Sequence, residues 1–412
     1  MRILLTIAFF FISNLSMAQE NILQQLLQEN KSQFADVLDR PEQYDVQIIY
    51  TQINRDEKNT PSFNSFNYNL DKKKYYYPAS TVKMPMAFLA LEKLNRLNII
   101  GLDKNSTMIN GAGSPPQTAA QIDTTSASGL PTVAHYIKKI FLVSDNDANN
   151  RLYEFLGQEY VNRTLWEKGY KNTKLTHRLG ISGFDAEANR HTNPVYFYNK
   201  NHELKYQQGE VYSKTEKDFN LNKTLRGTGF YRNGELINEA FDFSGKNYIS
   251  MQDQHDILKA VIFPASVPAH QRFELTEDDY RFLYQVMSER PKESKFPQYD
   301  KPDHYVKFFM FGDRKDEEQM PDNIRIFNKV GWAYGFLTDV SYVVDFENNI
   351  EFFLAATIHV NKDGIYNDNN YEYESIGIPF LTELGNIIYK HEKKRAKKYL
   401  PDLSKFKIQS YD

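Results

Sequence analysis

The chain contains no cysteine. That absence excludes a thiol nucleophile, thiolate zinc sites, disulfides and any cysteine-borne lipid anchor. Its nine histidines show neither His-x-His nor His-x-x-x-His spacing, so a histidine-built metal centre has no support and no cofactor is expected. Neither sign of charge prevails. Fifty Lys+Arg against 53 Asp+Glu leave a formal charge of -3, which recommends no nucleic-acid partner. Beyond the first apolar run, no stretch approaches the length of a bilayer span. What is there is 412 residues at 41% hydrophobic content, ample for a large core and for roughly two to three domains' worth of chain.

The start of the chain has an address. Arg2 precedes the apolar run ILLTIAFFFI over 3–12, and Ser16-Met17-Ala18 forms a small-x-small cleavage signature. Residues 1–18 read as a signal peptide cut after Ala18. The mature chain is therefore expected in the periplasm or secreted, with no stable membrane anchor.

Apolar spacing predicts a helix over about 20–38, strands over 45–54 and 63–70, and a helix over 80–97 that is hydrophobic nearly all round. Shorter helices follow over 132–143 and 147–156. An irregular stretch rich in Tyr, Asn and Gly, about 195–247, reads as an insertion. Helices resume over 250–262 and 276–288, then a meander of strands over 324–330, 338–346 and 350–360, and a last helix over 379–399. Strands at both ends with helices between imply an α+β fold: an antiparallel sheet flanked by N- and C-terminal helices, with an inserted helical domain. The expected division is a sheet domain from 19–79 and 265–412, interrupted by a helical domain over 80–264.

Three short stretches carry the chemistry. Ser80 and Lys83, three residues apart at a helix start, share one face, where free backbone N–H groups favour a developing oxyanion. A lysine kept neutral by burial there can take the serine proton. Spacing alone is weak evidence, since roughly two such pairs arise by chance and Ser404 and Lys407 form another in a polar tail. The second stretch is Ser144-Asp145-Asn146, between two helices, where plain helix capping is an alternative role. The third is Lys329-Val330-Gly331 on a strand, whose lysine taken alone usually reads as a solvated edge residue.

In this order the three stretches resemble the signatures of penicillin-recognising serine enzymes, particularly class A β-lactamases. The resemblance covers about 20–399, less the insertion, and implies a serine β-lactamase/transpeptidase-like fold. It makes Ser80 the acylated nucleophile, Lys83 its proton acceptor and Ser144 the relay to the leaving nitrogen. Asn146 would hydrogen-bond the substrate's amide side chain and Lys329 would face a substrate carboxylate. Gly331 would allow close approach, and the N–H groups of Ser80 and Trp332 would form the oxyanion hole. The chain also departs from the pattern. Val330 stands where the family has a hydroxyl residue, no arginine follows Gly331 in the hairpin, and Asp339 adds negative charge. The region 177–194 lacks the family's glutamate-to-asparagine spacing, which leaves Glu187 as the candidate to activate water, with loop bracing as its other role.

The implied function is an exported serine hydrolase with an acyl-enzyme mechanism, acting on a small-molecule β-lactam or a peptidoglycan-type peptide. A D-alanyl-D-alanine peptidase, an esterase or a non-catalytic cell-envelope binding protein on the same scaffold are the alternatives. Elsewhere, the 390–398 stretch, with six Lys/Arg, reads as a solvated helix end, and Tyr75 to Tyr77 as packing or as a stacking surface beside the cleft.

Overall fold

The computed structural model describes residues 21–34, 36–315 and 319–411. The expected signal peptide lies outside the described residues. The strands near the two ends of the chain pair with one another. β1 (Gln47–Arg55), β2 (Pro61–Tyr68), β3 (Ile324–Ala333), β4 (Phe336–Asp345) and β5 (Ile350–His359) form an antiparallel sheet in the order β3, β4, β5, β1, β2. The helices are α1 (Ile22–Glu29), α2 (Lys83–Leu97), α3 (Val133–Val143), α4 (Asn146–Leu156), α5 (Gln158–Glu167), α6 (Met251–Ile262), α7 (Glu277–Ser288) and α8 (Ile378–Lys394). This is the α+β arrangement expected, with terminal helices against the sheet and α2 to α7 between its strands in sequence.

β5 is buried at every position because both faces of the sheet are covered. Its side chains alternate. Phe352, Leu354, Ala356 and Ile358 enter one core with Leu23 of α1 and Leu384 of α8, whereas Phe353 and Ala355 join the other with α2, α3, α4, α6 and α7.

Two helix ends fall short of their expected positions. α1 stops at Glu29, where the Asn30 side chain donates to Leu26 O at 2.8 Å, and the chain continues as a 3-10 turn, Lys31–Phe34. α8 stops at Lys394 because Arg395 turns extended and donates to Ile53 O at 2.9 Å and Asn54 Oδ1 at 2.6 Å. Part of the basic stretch is thus drawn onto β1 rather than left to solvent.

Residues 195–247 form short ribbons instead of a core of their own. Val195–Tyr198 pairs with Thr107–Asn110 and with Leu204–Gln208, and Gly229–Arg232 pairs with Glu235–Ile237 and Ile365–Tyr366. A buried ion cluster ties this stretch to the sheet: Asp45 accepts from Arg226, from Lys223 at 3.0 Å and from Lys74 at 2.9 Å. Burial works to raise the Asp45 carboxyl, but Arg226 and Lys74 outweigh it and hold its pKa down at about 2.

Candidate active site

Ser80 lies on a 3-10 turn, Ala79–Val82, that feeds directly into α2. The expected α-helical start at Ser80 is therefore a tighter turn, entered through Ala79 at φ +47°. A left-handed backbone at a residue with a Cβ is strained by on the order of 1–3 kcal/mol and persists only where its surroundings impose it. The apolar residues of α2 are buried nearly all round, which carries Lys83 inside with 0% exposure.

The Lys83 amine crosses to the turn between α3 and α4. It donates to Asn146 Oδ1 at 2.7 Å, to Ser144 Oγ at 3.2 Å and to the Ser144 carbonyl. Ser144 ends α3 in a left-handed conformation, φ +59°, and Asp145 caps α4 by accepting from Ala148 N at 2.8 Å. Capping and site geometry thus coexist in one turn. From the sheet, Lys329 Nζ donates to the same Ser144 Oγ at 2.8 Å and to Val330 O at 2.8 Å. Two amines therefore meet on one hydroxyl.

Such convergence cannot carry two full charges cheaply. Burial, opposed by Asp145, lowers the Lys83 pKa to about 7. Burial and then the neighbouring Lys83 push Lys329 well below its ordinary value. Among the described residues, the Ser80 hydroxyl has no hydrogen-bond partner and is free to meet an incoming group.

The third stretch closes on the first. A Cβ at Gly331 would stand 2.5 Å from Pro78 O and 2.8 Å from Ser80 N, so only glycine permits this contact. β3 is an edge strand, and its pairing explains which groups face Ser80. Tyr334 and Gly335, at φ +55° and +78°, make the two-residue turn to β4, and Ala333 pairs with Phe336 across it. Ladder bonds then fall to Ala333, Gly331 and Lys329, which leaves the Trp332 N–H pointing off the sheet edge. The Trp332 ring packs against Tyr305 and Phe308.

A sequence model of the beta-lactamase enzyme family matches residues 29–391, most of the chain. The chain belongs to the beta-lactamase enzyme family. Membership makes it a hydrolase of the serine type. It is similar to the solved structure of PBP-A, at 14% identity over 92% of this chain and 97% of that one, with a TM-score of 0.49. It is also similar to beta-lactamases from Sphaerobacter thermophilus DSM 20745, at 11% identity over 90% and 98% with a TM-score of 0.48, and from Chitinophaga pinensis DSM 2588, at 10% identity over 90% and 99% with a TM-score of 0.47. No curated protein matches the sequence.

Within this beta-lactamase-family chain, Glu187 is not brought to the cluster. Its side chain is 64% exposed and its ion pairs, both at 3.8 Å, are with Arg190 and His191. The inward position of that loop belongs to Asn189, which accepts from Arg178 N at 2.9 Å and donates to Asp185 O at 2.8 Å. Val330 is fully buried in the core beneath α8, so it offers the cleft nothing polar. Asp339 is also buried, accepting from Asn328 Nδ2 at 2.8 Å, Ser341 Oγ at 2.7 Å and Phe308 N at 3.1 Å.

Sequence reasoning missed a cavity of about 1110 Å³ beside the cluster. Ser80, Lys83, Ser144, Asn146 and Lys329 are all outside its lining, which includes Tyr77, Gly180 and Tyr334. Gly180, at φ +59°, lies against the Asn146 amide, and the Tyr77 and Tyr334 rings meet edge to face at 5.1 Å. Against Tyr77, the stacked and half-buried His177 is neutral, its pKa lowered to about 4 by loss of surrounding water. Its Nδ1 bonds Arg178 O at 2.6 Å and its Nε2 accepts from Asn247 N at 3.1 Å, which fixes the tautomer and ties the 177–190 loop to the end of the 195–247 stretch. The three adjacent tyrosines were the only sequence signal for this cavity.

Proposed function

We propose that the chain is an exported serine hydrolase of the class A β-lactamase kind, acylated at Ser80 by a β-lactam-type amide. The observation that carries this reading is the meeting of the Lys83 and Lys329 amines on Ser144 Oγ, beside a turn that Gly331 touches at Ser80 N. The Ser80 oxygen attacks the amide carbonyl carbon while neutral Lys83 accepts its proton. The carbonyl electron pair moves onto oxygen, and the Ser80 and Trp332 N–H groups stabilise that oxyanion. Collapse restores the carbonyl and breaks the C–N bond. The leaving nitrogen takes a proton from Ser144 Oγ, which is reprotonated by the Lys83 ammonium. Water then cleaves the Ser80 ester. Asn146 binds the amide of the acyl side chain, and Lys329 supplies positive potential for a substrate carboxylate.

The exposed position of Glu187 favours a second reading, a D-alanyl-D-alanine peptidase or esterase, in which rapid release of a β-lactam adduct is not required. Intact-mass measurement after incubation with a β-lactam panel separates the two. A β-lactamase shows a short-lived adduct and hydrolysed product, and a peptidase shows a lasting adduct. Ser80→Ala removes either. Ester hydrolysis lost in Ser80→Ala, without β-lactam adducts, selects the esterase. Inertness to every β-lactam and ester overturns catalysis and leaves a binding protein. Export is checked by the mature N-terminus, expected at Gln19 in the periplasm or medium.

A further inference from the structure

The cations that line the cavity are engaged, with one exception. Arg178 is held by Glu154 at 3.2 Å and Arg190 by Glu216 at 2.7 Å. Lys174 donates to Ser244 O at 2.9 Å. Lys217 donates to Lys171 O at 3.1 Å and lies over the Trp166 and Phe219 rings. The acids are occupied too: Asp242 accepts from Ser244, Asp218 from Asn220 N, and Asp185 from Ala188 N. Among these cations the Lys246 amine alone has neither a hydrogen bond nor an acidic partner among the described residues. Its amine stands 5.9 Å from the centroids of both the Phe241 and Tyr334 rings, half-buried and partly stripped of water.

Its position is fixed by its neighbour. Asn247 is bound four times to the 176–177 backbone and His177, through N–H to Nε2 at 3.1 Å, Oδ1 from Thr176 N at 2.7 Å and from His177 N at 3.2 Å, and Nδ2 to His177 O at 3.2 Å. Lys246 therefore shares the Tyr334 wall with Tyr77, three residues before Ser80. The lining also includes Gly180, which lies against Asn146, and Asn146 binds the acyl-side amide in the proposed reaction. An unpaired ammonium in an aromatic-walled cavity, reached from the acyl side of the cleft, matches one kind of ligand.

We propose that this cavity is a subsite for the acyl portion of the substrate, and that it selects an extended acyl chain ending in a carboxylate, which pairs with Lys246 while Tyr77 and Tyr334 pack on the stem. The inference rests on acylation at Ser80 for its place in the reaction, but the subsite can be read without it.

Two penams that differ only at the far end of the acyl chain provide the test: 6-aminopenicillanate acylated with adipate, and the same compound with a terminal carboxamide. The carboxylate form acylates the full-length mature protein about tenfold faster at low salt, the scale of one partly exposed ion pair. Lys246→Arg retains the preference, Lys246→Met abolishes it and Lys246→Glu reverses it, the preference being read as the ratio of the two acylation rates within each protein. In parallel, binding of unreactive N-adipoylglycine to the Ser80→Ala protein is followed by calorimetry, and weakens about tenfold when Lys246→Met is added. If neither penam forms an adduct but N-adipoylglycine binding still depends on Lys246, acylation fails and the subsite stands. Equal rates for both penams in the parent and in Lys246→Met, or N-adipoylglycine binding indifferent to Lys246, overturn the subsite.

Discussion

At the scale of single residues, the site turns on how buried amines share charge. In the proposed reaction Lys83 must be neutral to accept the Ser80 proton, and burial lowers its pKa to about 7. The second-order acylation constant should therefore rise with pH, about tenfold per unit below a midpoint near 7, and level off above it. Lys83→Arg, whose guanidinium stays protonated, should drop the constant by at least about a hundredfold and remove that midpoint. A pH profile of adduct formation checks both. The grouping of Lys83, Ser144, Asn146 and Lys329, with Gly331 against the Ser80 turn, was legible in the sequence because each residue sits in a short, ordered motif. Glu187, which the sequence offered as the water-activating candidate or as a loop brace, lies exposed for a physical reason. Which side chain of a loop turns inward depends on the hydrogen bonds the loop makes, and Asn189 satisfies the Arg178 N–H and two neighbouring carbonyls better than a carboxylate can.

At the scale of elements, strand β3 decides whether the two halves of the site meet. A methyl group at 331 has no room against Pro78 O and Ser80 N, and the atoms it meets are backbone rather than yielding side-chain tips. Gly331→Ala should push β3 off the Ser80 turn, cutting the acylation constant at least about tenfold and lowering the melting temperature, with the loss in rate exceeding that in Ser80-independent ligand binding. Kinetics with a chromogenic β-lactam and a thermal melt read the two effects. The meander was visible from its apolar runs and turn residues, and the two helix ends were not, because Asn30 and Arg395 act through contacts with backbone that periodicity does not register.

At the scale of the whole molecule, Asp45 is where the 195–247 stretch is fastened to the sheet. Its folded pKa is depressed, so its contribution to stability is complete above about pH 4 and is lost as pH falls toward 2. Asp45→Asn leaves Arg226 and Lys74 buried without their counter-charge and should cost about 2–5 kcal/mol at pH 7. Urea unfolding of parent and variant should differ clearly at pH 7 and converge as the pH approaches 2. The role of this stretch was hidden in the sequence, since its ribbons gain meaning only from partners such as Thr107–Asn110 and Ile365–Tyr366, far away along the chain.

The pairing of β1 with β5, and the seating of Gly331 against Ser80, also set a timetable. A ribosome delivers Ser80 long before it delivers the strand that seats against it, and contacts so distant in sequence form late. On the proposed reaction a partly made polypeptide is therefore expected to be inert, and a truncation that removes β3, β4 and β5 to abolish acylation while leaving every residue of the first two motifs in place.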